Sequence, residues 1–238
     1  MTTSCAHQQE SVTFGVQPEH RGFVPARTAV LNCRVWPNRT SLQDTPPANI
    51  RPPELDGLCA KLDEKTLGAF AGQPYMRGYS PKGVDKVLTR AGQGSLTQSW
   101  PKFWEHRAGD CSDCKDIAAF YTASIASRPE WREWLQTFSV HMNQADAILL
   151  PFVVYGREHI FDDRGMYVAE RDAAVGALLI ATGTGDLIWA GGRTALARNQ
   201  RLQRAQVAEA ITYPEWTVVM DRLFVSDLWR DFPGRQEF

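Results

Sequence analysis

Apolar positions along this chain fall either in short runs, which predict strands, or at helical spacing, which predicts helices. Ala29-Val30-Leu31-Asn32-Cys33-Arg34-Val35-Trp36 reads as a β-strand, stopped by Pro37 and Asn38. A Pro-containing loop follows, and Pro52-Pro53 sits where a helix is expected to begin. Leu55, Leu58, Cys59 and Leu62 then recur at i, i+3, i+4 and i+7, one apolar helix face that Ala69 and Phe70 continue. Gly72-Gln73-Pro74 breaks that helix, and Tyr75-Met76-Arg77-Gly78 is expected to form a short strand. Ser80-Pro81 is an N-cap with Pro at the first helical position, opening a second helix on Val84, Val87, Leu88 and Ala91. Gly92 and Gly94 end it.

The middle of the chain is helical. Beyond Trp100, Phe103 and Trp104, one helix is predicted to carry Cys114, Ile117, Ala118, Tyr121 and Ile125. Pro129 opens another, with Trp131, Trp134, Leu135, Phe138 and Met142 on its apolar face. The last third turns to β-structure. Ala147–Tyr155 is mostly apolar and so reads as a central strand. Ala173–Ala181 and Leu187–Arg193 flank Thr182-Gly183-Thr184-Gly185, the signature of a hairpin turn. Gly156–Arg171, where acids and arginines interleave, is expected to be a solvated loop that could bind a cation or a basic partner. Two closing helices are expected at about Leu196–Ala210 and Pro214–Trp229. The first would carry Arg193, Arg198, Arg201 and Arg204 towards solvent.

The sum is an α/β (α+β) protein: a mixed sheet with packed helices, and a C-terminal hairpin followed by helices. Residues 1–25 lack periodicity and are expected to be a flexible tether. Residues 26–238 are expected to form a single domain, with a helical insert at about 95–143.

Composition narrows the function. Lys and Arg number 26 against 27 Asp and Glu, a net charge of -1. That balance argues against nucleic acid, whose binders carry a basic excess. The longest apolar run, Ala145–Tyr155, is interrupted by Asp146 and Pro151 and falls short of the ~20 residues a membrane helix needs. Eight Trp are many, and their helical spacing (Trp131 with Trp134, Trp216 with Met220) points to core packing.

Catalytic signatures are missing. Thr182-Gly183-Thr184-Gly185 is followed by Asp186 and a strand, where a phosphate-binding loop needs a Lys and a helix. There is no G-x-S-x-G, and the five histidines form no i, i+4 pair. The reading is a non-enzymatic protein with no cofactor and no resident metal. Its best candidates for a protein-contact surface are the loops around Trp36, Tyr75 and Trp100, because half-buried aromatics dominate interface energies.

The five cysteines carry most of the functional information. Cys111-Ser112-Asp113-Cys114 has three readings. A structural disulfide is favoured. A redox-active pair and a zinc half-site with His106 are the alternatives, although the preceding segment is a polar loop and no second C-x-x-C is present. Cys33 and Cys59 are then left to pair, on a strand and the helix after it. The odd cysteine is Cys5. Thr3-Ser4-Cys5 fits the end of a bacterial lipoprotein signal, in which small residues precede the cysteine that is acylated. The apolar part of such a signal would lie upstream of Thr2.

One group of proteins shares this layout. Ala29-Val30-Leu31, the strand start Gln144-Ala145-Asp146-Ala147-Ile148-Leu149, and Ala174 to Trp189 with its Thr182-Gly183 turn resemble a bacterial envelope group. The group includes the periplasmic domain of the curli secretion channel, the lipoprotein activators of penicillin-binding proteins and the N-terminal domain of TolB. The chain as a whole looks most like uncharacterised bacterial lipoproteins of that layout. The resemblance covers most of residues 28–195. It implies an envelope scaffold, secretion part or activator, periplasmic and anchored by lipid, most simply at the outer membrane, with an envelope protein as partner. It brings no catalytic residues.

Overall fold

The computed structural model describes residues 13–37, 54–71, 76–105, 107–111, 114, 116–202, 211–224, 228–229 and 231–234. The chain enters as β1 (Thr13–Val16) and passes a short 3-10 turn at Pro18–His20. It continues through β2 (Arg27–Val30) and β3 (Arg34–Pro37) to α1 (Glu54–Phe70), β4 (Arg77–Tyr79) and α2 (Pro81–Arg90). A tightly wound stretch follows: α3 (Leu96–Ser99), a 3-10 helix at Trp100–Trp104, α4 (Ile117–Phe120), a π-helical turn at Tyr121–Ile125, and α5 (Pro129–His141). Three long strands, β5 (Ala147–Asp163), β6 (Met166–Ala181) and β7 (Leu187–Leu202), precede α6 (Trp216–Leu223).

The seven strands of the described residues join one mixed sheet, in the order β1-β7-β6-β5-β2-β4, with β3 also on β5. β2 is parallel to both β4 and β5, and β3 is parallel to β5, whereas β5, β6, β7 and β1 pair antiparallel. Parallel neighbours need long crossovers, which α1 and the helical middle of the chain supply.

The central position of β5 follows from its side chains. Ile148, Leu150 and Phe152 enter a cluster with Leu88, Trp131 and Phe138 of the helical middle. Ala147, Leu149 and Val153 enter a second cluster on the opposite face, with Leu58 and Leu62 of α1 and Val219 of α6. Successive residues point to opposite faces of a strand, so a strand covered on both sides must be apolar at nearly every position.

Four expectations from the sequence are corrected. Residues 13–25, placed in a tether, instead carry β1, paired to Gly191, Ala190 and Trp189 of β7, and the 3-10 turn; residues 1–12 lie outside the described part. Gly156–Arg171 is not a loop: β5 and β6 continue as a ribbon that turns only at Arg164-Gly165, where φ is 52° and 79°. The alternating charges are cross-strand partners. Glu158 lies opposite Arg171 and Glu170 opposite Arg198, with ion pairs of 2.7 and 2.5 Å. The helix expected from Leu196 is β7 as far as Leu202, so Arg193, Arg198 and Arg201 lie on a strand, and Arg204 is outside the described residues. The helix expected to carry Cys114 starts at Ile117, where the Asp116 carboxylate caps it by accepting the Ala119 N–H at 2.8 Å.

The Thr182–Gly185 hairpin turn stands where it was expected. It is clamped from the helical layer. Tyr121 Oη donates to the carbonyl of Gly185 and accepts from Trp131 Nε1 at 3.1 Å. Burial is the main cause that pushes the Tyr121 phenol well above its ordinary range, so it stays protonated as a donor.

Candidate functional site

The chemistry-bearing side chains of the described residues gather at two cysteine bridges. The first ties the β2–β3 connection to α1. Val30 at the end of β2 packs in the same cluster as Leu58 and Leu62, and this contact brings Cys33 to Cys59. Their sulfurs are 2.02 Å apart and their Cα atoms 5.4 Å. Cys59 is buried at 8 % exposure, while Cys33 is half-buried.

Beside this bridge stands an acid that the sequence did not single out. Asp63 lies one helical turn after Cys59, and its carboxylate accepts the backbone N–H of Cys33. Its Oδ1 is buried and has no hydrogen-bond partner among the described residues. Desolvation outweighs the Cys33 hydrogen bond and raises the carboxyl to about 6. The signal was present in the spacing: i+4 from a cysteine on the apolar face puts an acid at the edge of that face.

The second bridge, Cys111–Cys114, has sulfurs 1.98 Å apart and Cα atoms 5.6 Å apart. Its loop is pinned by a buried charge pair, Arg128 and Asp110, at 2.5 Å with side chains 7 % and 9 % exposed. The same guanidinium donates to the carbonyls of Phe103 and Glu105, and Asp110 Oδ2 accepts the Arg107 N–H at 2.7 Å. Cys111 donates its N–H to Ser124 Oγ at 2.9 Å. Arg128 therefore joins the aromatic 3-10 helix, the cysteine loop and the start of α5. It looked like nothing more than the residue before Pro129 in the sequence.

Of the aromatic contact candidates, Trp100 is corrected. It is 2 % exposed, edge-on to Trp104 at 6.3 Å, with the Arg34 guanidinium 5.7 Å from its ring centre. It is a core residue, because the 3-10 helix folds it back onto the sheet. Trp36 belongs to β3, paired to Val154, and its side chain is outside the described part, as are Tyr75, His106 and Cys5. Among the described residues no group of three or more His, Cys, Asp or Glu could hold a metal ion. No helix among them is long and apolar enough to cross a membrane.

No protein-family model and no curated protein matches the chain. Among solved structures it is similar to lipoprotein GNA1162 from Neisseria meningitidis, with 12 % identity and a TM-score of 0.30 over 73 % of this chain and 84 % of that one. It is also similar to the LpoB C-terminal domain from Salmonella enterica, at 11 %, 0.33, 79 % and 96 %. A third likeness is to the PelC dodecamer from Paraburkholderia phytofirmans, at 9 %, 0.35, 97 % and 100 %. All three scores lie below 0.5.

Proposed function

We propose that this chain is a lipid-anchored protein on the periplasmic side of a bacterial envelope, working as an adaptor, scaffold or assembly factor through contacts with an envelope protein. The observation that supports it most is the pairing of four of the five cysteines. Cys33 meets Cys59 and Cys111 meets Cys114 at bonding distance, on elements that packing brings together. Disulfides persist in oxidising compartments and are rare in the cytosol. The fifth cysteine, Cys5, stands in Thr3-Ser4-Cys5, the context of an acylation site.

The mechanism is tethering and docking. An acyl group on Cys5 holds the domain at the bilayer, and the eight peptide steps from Cys5 to Thr13 reach at most about 28 Å. The domain therefore works close to the membrane, where tethering raises its effective concentration for a partner. Trp36 and Tyr75 mark the proposed contact region.

Mass spectrometry of the protein from its native cell tests this reading. An acyl adduct on the Cys5 peptide is expected, with the other four cysteines blocked to alkylation until reduced. Five reduced, unmodified thiols would overturn it.

A further inference from the structure

The Cys33–Cys59 bridge has an acid beside it. Asp63 accepts the Cys33 N–H and sits one turn from Cys59 on α1. Among the described residues no cation is paired with it. Lys61 is turned to Asp221, 3.8 Å away, and to the Phe224 ring of the C-terminal region. Glu64 and Lys65 are exposed. β3 offers Arg34, which lies over Trp100 of the opposite cluster, and β4 offers Arg77, which is exposed. The part of β5 in the same cluster is apolar: Ala147, Leu149 and Val153. A half-buried carboxyl with one buried, unbonded oxygen, beside a covalent bond that can be exchanged, calls for a chemical role.

The geometry points to a proton-coupled thiol–disulfide exchange site made of Cys33, Cys59 and Asp63, whose co-substrate is an exposed thiol of another protein. The two sulfurs are unequal. An incoming thiolate reaches the half-buried Cys33 Sγ and forms a bond to it, while the Cys33–Cys59 bond breaks with its electron pair on Cys59 Sγ. A thiolate there would be a charge among Val30, Leu58 and Leu62, which is costly. The neutral Asp63 carboxyl gives up its proton instead. The products are a mixed disulfide on Cys33, a Cys59 thiol and an Asp63 carboxylate. In reverse, the carboxylate takes the Cys59 proton, the resulting thiolate attacks Cys33 Sγ, and the external thiolate leaves. Nucleophilicity thus appears only when both partners are in place.

Glutathione is the probe. The full chain is mixed with glutathione from pH 5 to pH 8 and quenched by alkylation, and the peptides holding Cys33 and Cys59 are mapped. The rate is divided by the glutathione thiolate concentration. With Asp63 titrating near 6, its neutral fraction falls from about 0.9 at pH 5 to about 0.1 at pH 7, so the corrected rate should drop about tenfold. The first adduct should be on Cys33. Asp63→Asn should remove the pH dependence. A flat profile for the unaltered chain, a first adduct on Cys59, or the same slope in the Asn variant would each overturn the proposal. The probe reaction does not involve Cys5, so its outcome is separate from that of the anchoring test.

Discussion

Asp63→Asn also makes a stability prediction that can be worked through with the bridge left closed. The Asp63 carboxyl is raised from 3.8 to about 6, chiefly by desolvation. Between those values the folded state holds its proton more tightly than the unfolded chain does. Stability therefore falls as pH rises through this window, and the loss is complete above about pH 6. The gap is equivalent to roughly 3 kcal/mol at about 1.36 kcal/mol per pH unit. Solvent reaches part of the side chain and screens it, so about 1–2 kcal/mol is expected. Asn keeps the carbonyl that accepts the Cys33 N–H and has no charge to desolvate. The variant should therefore be more stable than the unaltered chain at pH 7 by about 1–2 kcal/mol, or roughly 2–8 °C in Tm for a chain of this size. Below about pH 4 the two should converge. Urea melts at pH 4, 5, 6 and 7, with both disulfides verified closed, measure this. An Asn variant no more stable at pH 7, or a gain undiminished at pH 4, would show that Asp63 is not desolvated in this way.

Two further substitutions test the rest of the architecture. Arg128→Met removes the charge partner of Asp110 and the donor to the Phe103 and Glu105 carbonyls in a site under 10 % exposed. Breaking such a pair costs about 3–5 kcal/mol, read as a fall in urea midpoint and as faster proteolysis near the cysteine loop; a loss below about 1 kcal/mol would show that the clamp is dispensable. Gly191→Ala places a Cβ 2.3 Å from Trp189 Cζ2, and the fully buried indole cannot step aside because it is stacked on Trp229 at 5.4 Å and edge-on to Phe232 at 4.9 Å. Overpacking of this kind costs about 1–3 kcal/mol, and an unchanged urea midpoint would contradict it.

The parts of the fold that could be read from the sequence are those whose pattern has a single physical cause. The first half of β5, Ala147 to Tyr155, is apolar throughout because both faces are covered there, and no loop or amphipathic helix produces such a run. The second helix was equally legible, since Ser80 accepts the Gly83 N–H at 3.1 Å as an N-cap and Val84 and Leu88 face inward. The ribbon was hidden because its acids and arginines satisfy one another across strands, a relation that a linear sequence does not display. The part of β7 from Leu196 to Leu202 was read as the start of a helix because Ala, Leu, Arg and Gln are strong helix formers. Pairing along β6 outweighs that preference, and Ala195 and Ala197 are buried at the spacing of a strand. Trp100 was misjudged because a tryptophan next to Pro101 suggests an exposed turn, whereas the turn is 3-10 and faces inward. Cys33–Cys59 could be anticipated, because a strand and the helix after it share a core. Asp63 was masked by the other acids and lysines that surround it on α1.

The two bridges differ in what they can contribute. In the chain-entropy view, a bridge across a separation of 26 stabilises by about 3.5 kcal/mol, and one across a separation of 3 by only about 2. Cys111–Cys114 therefore adds little long-range order, and the Arg128–Asp110 pair is what fixes its loop. Cys33–Cys59 is the bridge that joins the sheet to α1. Yet α1 is also held by Leu58 and Leu62, both fully buried, and each such side chain is worth about 1.5–3 kcal/mol. Their combined burial matches or exceeds the bridge's own contribution. Opening the disulfide should then loosen the β2–β3 connection while α1 keeps its seat. That is the condition under which a bond that stabilises the fold can also be exchanged without unfolding it.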